Sequence, residues 1–230
     1  DNAPPLLAER LHMAGHVCTT HHTLEGDALA EALGNTEGIV VRSRPLPGEL
    51  LARASGLRFV ARLGAGLENI DRAWCEANGV LVLNSPEGNR DGVAEWCVAQ
   101  LLALMKHLHR ANEQVHRGLW LREENRGNDL FGSTVGIIGY GHMGSAFAER
   151  STSFGVRIMA HDKYRKGFAS PHVVEAELNE LLVASDVISL HLPLTTETRH
   201  YANADFFQRL GRPVWFINSS RGPIVDTRAL

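Results

Sequence analysis

The strongest constraint on the fold is a glycine-rich segment in the second half of the chain, residues 134–148. Val135, Ile137 and Ile138 predict a strand with no polar face, which is typical of a parallel β-strand buried on both sides. Three glycines with G-x-G-x-x-G spacing follow, Gly139, Gly141 and Gly144, and then a helical pattern begins. This order predicts a tight turn where a pyrophosphate meets the backbone and the helix N-terminus. The segment therefore predicts a dinucleotide site.

An acidic residue follows the turn at the distance such a site requires. The apolar run 156–161 ends at Asp162, eighteen residues after the last glycine of the turn. A carboxylate there can accept hydrogen bonds from both ribose hydroxyls of an adenosine and repels a 2′-phosphate, so we expect NAD as the cofactor. Lys163, Arg165 and Lys166 come next and are able to hold a phosphate. The sequence thus leaves NADP as an open alternative.

Composition narrows the class of protein. The 230 residues carry a net charge of −3 and 44% are hydrophobic, which argues against a nucleic-acid-binding face or a polybasic membrane surface. The apolar runs are too short for a bilayer span, and the chain does not open with a secretory signal. Cys18, Cys75 and Cys97 are odd in number with no close pair, so we expect reduced thiols in the core. These features favour the cytoplasm.

No metal site is expected. The histidines cluster in sequence, but His107 and His109 are two residues apart in a helical pattern and so point about 200° apart. They cannot share a ligand face.

The chain as a whole alternates strands and helices, which predicts an α/β fold with two doubly wound parallel-sheet domains of Rossmann or flavodoxin type. We place the boundary in the polar segment 86–92, so that residues 1–91 form a substrate domain and residues 92–230 a dinucleotide-binding domain. In the first domain we expect helices at 4–11, 24–33 and 49–54, and strands at 39–41, 59–61 and 80–83. In the second we expect helices at 93–116, 175–184 and 203–210, and further strands at 187–195 and 214–218.

Three further features are candidates for ligand contacts. Gly64-Ala65-Gly66 lies where a strand ends and a helix begins, which suits a small anion, although a plain turn fits equally well. Arg221 follows the last strand, and a guanidinium there suits a carboxylate and its neighbouring oxygen; a surface arginine is the alternative. His191 also ends a strand, and we expect a structural or cofactor-lining role because no carboxylate adjoins it.

Five ordered motifs together resemble the D-isomer-specific 2-hydroxyacid dehydrogenases, and especially their phosphoglycerate dehydrogenase-like members. The matching motifs are residues 64–71, residues 89–95, residues 135–144 with Asp162, residues 191–195 with Thr198, and residues 218–222. The resemblance spans nearly the whole chain. It implies a hydride moved between nicotinamide and C2 of a small 2-oxo or 2-hydroxy acid, with 3-phosphoglycerate as one plausible substrate, in a cleft between two domains of a cytoplasmic homodimer.

The resemblance also implies roles for individual residues. Arg221 is the catalytic arginine that binds the substrate carboxylate and polarises its carbonyl, and Ala65, Gly66 and Asn89 bind substrate. The cofactor-binding residues that it implies are Gly139, Gly141, His142, Met143, Gly144, Asp162, His191, Pro193, Thr198 and Ser219. His142 in the glycine turn and Pro223 after the arginine depart from the common pattern, but the backbone holds the pyrophosphate.

The family pattern also requires a histidine that protonates the alkoxide and a glutamate that raises its pKa. Both are expected downstream of the arginine motif, beyond Leu230, so we expect the chain to be incomplete at both ends. A regulatory or corepressor protein of the same fold, which binds NAD without turnover, is the alternative function. Arg221 and the 64–66 turn favour the enzyme, because a sensor has no need to clamp a carboxylate.

Overall fold

The computed structural model describes residues 3–230. The chain divides into two compact units, the first ending at Asn89 and the second comprising Arg90–Leu230. Each unit contains its own core of buried apolar residues. Within residues 3–230, no helix is long and apolar enough to cross a membrane.

The first unit is built on a three-stranded, wholly parallel sheet in the order β1-β2-β3. Its elements are α1 (Pro5–Met13), α2 (Gly26–Ala32), β1 (Gly38–Val41), α3 (Gly48–Leu51), β2 (Phe59–Arg62), α4 (Arg72–Ala77) and β3 (Leu81–Asn84). Val60, Leu51 and Cys75 are fully buried in its core. Helix α4 begins at a side-chain cap, because Asp71 accepts a hydrogen bond of 3.0 Å from the Trp74 N–H.

The second unit has a five-stranded parallel sheet in the order β6-β5-β4-β7-β8. Its elements are α5 (Arg90–Met105), α6 (Leu108–His116), β4 (Thr134–Ile138), α7 (His142–Ser151), β5 (Arg157–His161), β6 (Val173–Glu175), α8 (Leu178–Ala184), β7 (Val187–Leu190), α9 (Ala204–Gln208) and β8 (Trp215–Asn218), with short 3₁₀ helices at Thr152–Phe154 and Gly222–Ile224. The first strand of the unit, β4, therefore lies at the centre of the sheet. The chain adds β5 and β6 on one side of β4 and then β7 and β8 on the other, so the strand order changes direction between β4 and β7. In such sheets ligands bind beyond the carboxyl ends of the strands at this switch point. The predicted α/β class with a Rossmann-type second domain is confirmed.

The predicted helix 93–116 is wrong, because the structure has two helices separated at His107. This residue adopts the left-handed conformation with φ +53°, so the helical hydrogen bonding ends there. The Asn128 N–H donates to the Met105 carbonyl at 2.8 Å, and Lys106 pairs with Asp129. The segment after α6 thus docks onto the end of α5 and stabilises the break.

Two other predicted element boundaries differ from those in the structure. The predicted helix 175–184 begins only at Leu178, with a capping box of Glu177 and Glu180. Glu175 instead ends the short edge strand β6, and its carboxylate accepts the Gly167 N–H at 2.8 Å. The strand predicted to run to residue 195 ends at Leu190.

The expected burial of the cysteines is correct for two of the three. Cys75 and Cys97 are fully buried, whereas Cys18 is only half-buried. All three are free thiols.

Candidate functional site

The glycine turn after β4 shows a separate steric reason for each glycine. Gly139 has φ +91°, and a Cβ there would lie 2.5 Å from the His191 carbonyl oxygen. A Cβ on Gly144 would overlap the Gly139 carbonyl oxygen, so this glycine allows α7 to pack on the turn. A Cβ on Gly141 would meet no atom within 4 Å in the described part of the chain. The space above Gly141 is therefore open, as a bound pyrophosphate requires.

Helix α7 begins directly at this open space. Its N-cap is Gly141, and no side chain among residues 3–230 caps it by a hydrogen bond. The first helical bond runs from the Ser145 N–H to the Gly141 carbonyl at 3.0 Å, which leaves the preceding N–H groups, including those of His142 and Met143, for a ligand. These N–H groups and the positive end of the helix dipole suit an anion. The turn thus fits the diphosphate of a dinucleotide.

Asp162, at the end of β5, contributes to the same turn. Its Oδ2 accepts the Tyr140 N–H at 2.8 Å, and its Oδ1 accepts the Tyr164 and Arg165 N–H groups, each at 2.9 Å. Burial alone raises the pKa of Asp162, but these backbone donors outweigh burial and keep the pKa below its ordinary value. The carboxylate is ionised at neutral pH and fixes the geometry of the turn.

The three cations after Asp162 all have protein partners. Lys163 pairs with Glu197, and Lys166 pairs with Glu177 at 3.6 Å. Arg165 donates to the Tyr140 carbonyl at 2.9 Å, and its guanidinium lies 5.8 Å from the centre of the Tyr140 ring.

The loop after β7, residues 193–198, is stabilised by its own side chains. The Thr198 hydroxyl accepts the Thr195 N–H at 2.8 Å and donates to the Pro193 carbonyl at 2.5 Å. Pro193 is exposed and Thr198 is half-buried. Thr198 therefore has a structural role in shaping this loop.

His191 lies between β7 and that loop, and both of its ring nitrogens are hydrogen bonded. Nδ1 lies 2.8 Å from the Ser219 hydroxyl, and Nε2 lies 2.9 Å from the Ser189 hydroxyl. Ser219 Oγ also lies 3.1 Å from the Leu190 carbonyl, which can only accept. A proton on Nδ1 satisfies both contacts, since Ser219 then donates to Leu190 and accepts from His191.

The environment of this imidazole keeps it neutral. Burial of the ring, which lies 5.5 Å from the Phe147 ring, lowers the pKa of His191 to about 4. The side chain links the ends of β7 and β8 through Ser219. It is thus a fixed hydrogen-bonding group and not a proton carrier near neutral pH.

Arg221 follows β8 in an extended conformation and is exposed. The Asn218 side chain holds this backbone, because its oxygen accepts the Ser220 N–H at 3.0 Å and its amide donates to the Arg221 carbonyl at 2.9 Å. The guanidinium donates to the Ser220 carbonyl at 2.9 Å. The glycine turn, Asp162, His191, Ser219 and Arg221 all follow parallel strands and so lie at one edge of the sheet.

In the first unit the residues 64–66 form a turn after β2. Gly64 has φ +144°, which favours glycine, and its carbonyl accepts the Ser85 N–H at 3.1 Å. The Asn84 amide donates to the Ala65 carbonyl at 2.7 Å. The carbonyl groups of the turn are thus held by the end of β3. Asn89 lies in a separate exposed turn before α5.

Arg62 is a further candidate residue that no sequence motif indicated. It ends β2 directly before the 64–66 turn, and a Cβ on Gly64 would overlap its guanidinium. Its Nε is buried and is one of two buried side-chain nitrogens or oxygens within residues 3–230 that lack a hydrogen-bond partner. The only sequence signal was a charged residue at the end of an apolar strand.

Among the described residues, no group of three or more His, Cys, Asp and Glu side chains is arranged to hold a metal.

The fold and this edge define a dinucleotide-binding α/β protein. Residues 98–230 match the family model described as the NAD binding domain of D-isomer specific 2-hydroxyacid dehydrogenase. The chain belongs to the D-isomer specific 2-hydroxyacid dehydrogenase family.

Known proteins similar to the chain agree with this placement. The hydroxypyruvate reductase of Thermotoga maritima is 35% identical over 92% of the chain and 69% of its own length. The D-3-phosphoglycerate dehydrogenase of Mycobacterium tuberculosis is 35% identical over 89% of the chain, but the match spans only 39% of that enzyme. The structure of D-lactate dehydrogenase from Aquifex aeolicus, complexed with NAD and lactic acid, superposes with a TM-score of 0.85 at 30% identity, covering 98% of this chain and 68% of that one.

Proposed function

We propose that the protein is an NAD-dependent dehydrogenase that interconverts a small D-2-hydroxy acid and the corresponding 2-oxo acid. When bound, the cofactor supplies or accepts the hydride. The observation that carries this proposal is the combination, at one sheet edge, of an open glycine turn, the ionised Asp162 and the positioned Arg221. The similar proteins are named as reductases and dehydrogenases, so a regulatory protein without turnover is not favoured.

In this proposal Arg221 is the catalytic residue contributed by the second unit. Reduction of a 2-oxo acid places negative charge on the carbonyl oxygen, and a fixed guanidinium stabilises this charge while it binds the carboxylate. Asn218 holds the Arg221 backbone extended, which limits the reorganisation needed to place the cation. The neutral His191 is excluded as the acid that protonates the alkoxide, because both of its nitrogens are engaged.

The substrate is proposed to contact the first unit through the backbone N–H groups of Ala65 and Gly66 and through the Asn89 side chain. Arg62 is a second cation beside this turn, and its buried, unpartnered Nε supports a substrate with a further anionic or oxygen-rich group. 3-Phosphoglycerate is one such compound.

The cofactor is proposed to contact the residues after β4, β5 and β7. His142 and Met143 offer backbone N–H groups to the diphosphate, and Asp162 accepts hydrogen bonds from the ribose. Asp162 Oδ2 accepts one backbone N–H and so retains a lone pair for a ribose hydroxyl, whereas Oδ1 already accepts two N–H groups. Pro193 and Thr198 lie in the loop after β7, where they would contact the adenosine. His191 and Ser219 would support this loop through their hydrogen bond at the ends of β7 and β8.

We also infer that the protein is a cytoplasmic homodimer. Helix α6 and the segment after it expose large apolar side chains, including Leu108, Val115 and Trp120, at 53%, 55% and 81% of their surface. No residue of α6 is buried. A patch of this kind on a helix is typical of a protein–protein interface.

The role of Arg221 is tested by the Arg221→Ala variant of the protein. We expect kcat/KM for the 2-oxo acid to fall about 100-fold or more, which is the usual effect of removing one group that stabilises a developing oxyanion. The Kd for NADH should not change, because Arg221 does not contribute to the glycine turn. Unchanged kcat/KM would contradict the assignment.

A further inference from the structure

The segment that follows Asp162 has an unusual charge distribution for a site that should reject a 2′-phosphate. Between Asp162 and Lys166 there are one acidic and three basic residues, Lys163, Arg165 and Lys166. An excess of positive charge at this position would attract a phosphate and oppose the repulsion that Asp162 provides. Asp162 alone therefore does not explain a preference for NAD.

The structure shows how this positive charge is compensated. Arg165 is directed to the Tyr140 carbonyl and ring, and Lys166 pairs with Glu177 in the cap of α8. Lys163 has a partner from farther along the chain, Glu197. Glu177 and Glu197 thus each neutralise one of the three cations.

Glu197 and Lys163 come from loops on opposite sides of β4. Glu197 lies in the loop after β7, whereas Lys163 lies in the loop after β5, and both strands flank β4. One Glu197 oxygen accepts from the Lys163 ammonium and the other from the Tyr164 hydroxyl. The two loops therefore meet beyond the carboxyl end of β4, where the glycine turn begins.

We propose that Glu197 is a specificity-determining residue for the cofactor: it engages the Lys163 ammonium, so that this cation is not available to a 2′-phosphate beside Asp162. Discrimination against NADP then depends on two acids. Asp162 repels the 2′-phosphate, and Glu197 engages Lys163, the lysine that follows Asp162 in the chain. Both Lys163 and Glu197 are exposed, and their hydrogen bond raises the pKa of Lys163 and lowers the pKa of Glu197.

The test is the Glu197→Gln variant, in which the side chain keeps its size and loses its charge. Binding of NADH and NADPH is measured by fluorescence titration at low salt, and the ratio of the two Kd values is compared with the wild type. We expect the ratio of the NADPH Kd to the NADH Kd to fall by about fivefold, a size typical of one exposed charge contact. The double variant Glu197→Gln/Lys163→Gln should restore the wild-type ratio, because the gain depends on the released ammonium.

Glu113→Gln is the matched control. Glu113 forms a comparable exposed ion pair with Arg117 at the end of α6, so this variant makes the same change in net charge without touching the loop. We expect no change in its Kd ratio. An unchanged ratio in Glu197→Gln, or a gain that persists in the double variant, would overturn the proposal.

The inference rests on the proposed binding of a dinucleotide at the glycine turn, and the titration separates the two. If the wild type binds neither NADH nor NADPH, the proposed function fails. If NADH binds and Glu197→Gln leaves the ratio unchanged, only the role of Glu197 fails.

Discussion

The Asp162 carboxylate accepts a hydrogen bond of 2.8 Å from the Tyr140 N–H, which joins the end of β5 to the middle of the glycine turn. The same side chain accepts the N–H groups of Tyr164 and Arg165. A residue predicted to recognise the ribose is therefore also a structural support of the diphosphate turn. Its substitution should affect stability as well as cofactor choice.

Asp162→Ala is expected to lower the free energy of unfolding by about 2 kcal/mol, because three backbone donors lose an ionised acceptor. Asp162→Asn should cost about half as much, because its carbonyl oxygen still accepts. The folded-state pKa of Asp162 is lowered, so the stability it contributes is complete above the unfolded pKa of about 3.9 and is lost as pH falls through the folded value. Urea unfolding of both variants between pH 2 and 7 measures this; equal stability of Asp162→Ala and wild type at pH 7 would contradict it.

Gly141→Ala and Gly144→Ala should separate cofactor binding from folding. A Cβ at position 141 meets open space, so the variant should unfold at the wild-type temperature but bind NADH at least about tenfold more weakly, because the methyl group occupies the path of the diphosphate. A Cβ at position 144 overlaps the Gly139 carbonyl, so that variant should lose stability by about 1–3 kcal/mol. Calorimetry and NADH titration distinguish the two. Unimpaired NADH binding by Gly141→Ala would argue against a diphosphate at this turn.

The lowered pKa of the half-buried His191 predicts a pH dependence of stability. Its pKa of about 4 lies below the unfolded value of about 6.5, so the unfolded chain binds the extra proton first. Its contribution is therefore fully present above pH 6.5, and stability falls by up to ~3 kcal/mol as pH decreases toward 4. His191→Gln should flatten this slope, as followed by urea unfolding. Nitrogen NMR of the wild-type imidazole should show a neutral ring with the proton on Nδ1 at pH 6, and a cationic ring at that pH would refute the assignment.

The homodimer proposal predicts that Leu108→Glu gives a monomer. The side chain is 53% exposed, so the charge should not disturb folding of the chain but would be costly within an interface. Sedimentation velocity should give a dimer for the wild type and a monomer for the variant. His109→Glu serves as a control on the same helix for a change of charge alone. A wild type that sediments as a monomer at micromolar concentration would exclude the dimer.

Features set by nearby residues were predictable from the sequence. The order of β4, the glycine turn, α7, β5 and Asp162 depends on local periodicity and spacing, and the parallel α/β class follows from it. The position of Arg221 directly after β8 follows in the same way. Its role, and the role of the other candidate residues, stays a prediction.

Features that depend on long-range contacts were not predictable. The break at His107 involves no proline or glycine; it is accompanied by docking of Asn128 and Asp129 on the end of α5. The three-residue strand β6 is too short to show a periodic pattern. Ser219 lies 28 residues from His191, and Glu197 lies 34 residues from Lys163, so neither the Ser219 contact of the imidazole nor the Glu197 ion pair has a sequence signal.

The most direct test of the central claim is oxidation of NADH by the protein in the presence of a panel of small 2-oxo acids, hydroxypyruvate and pyruvate among them, with chiral analysis of the product. The proposed function predicts loss of NADH absorbance with at least one of them and formation of the D-2-hydroxy acid alone. A protein that binds NADH but consumes none with any 2-oxo acid, or one that forms the L-isomer, would contradict it.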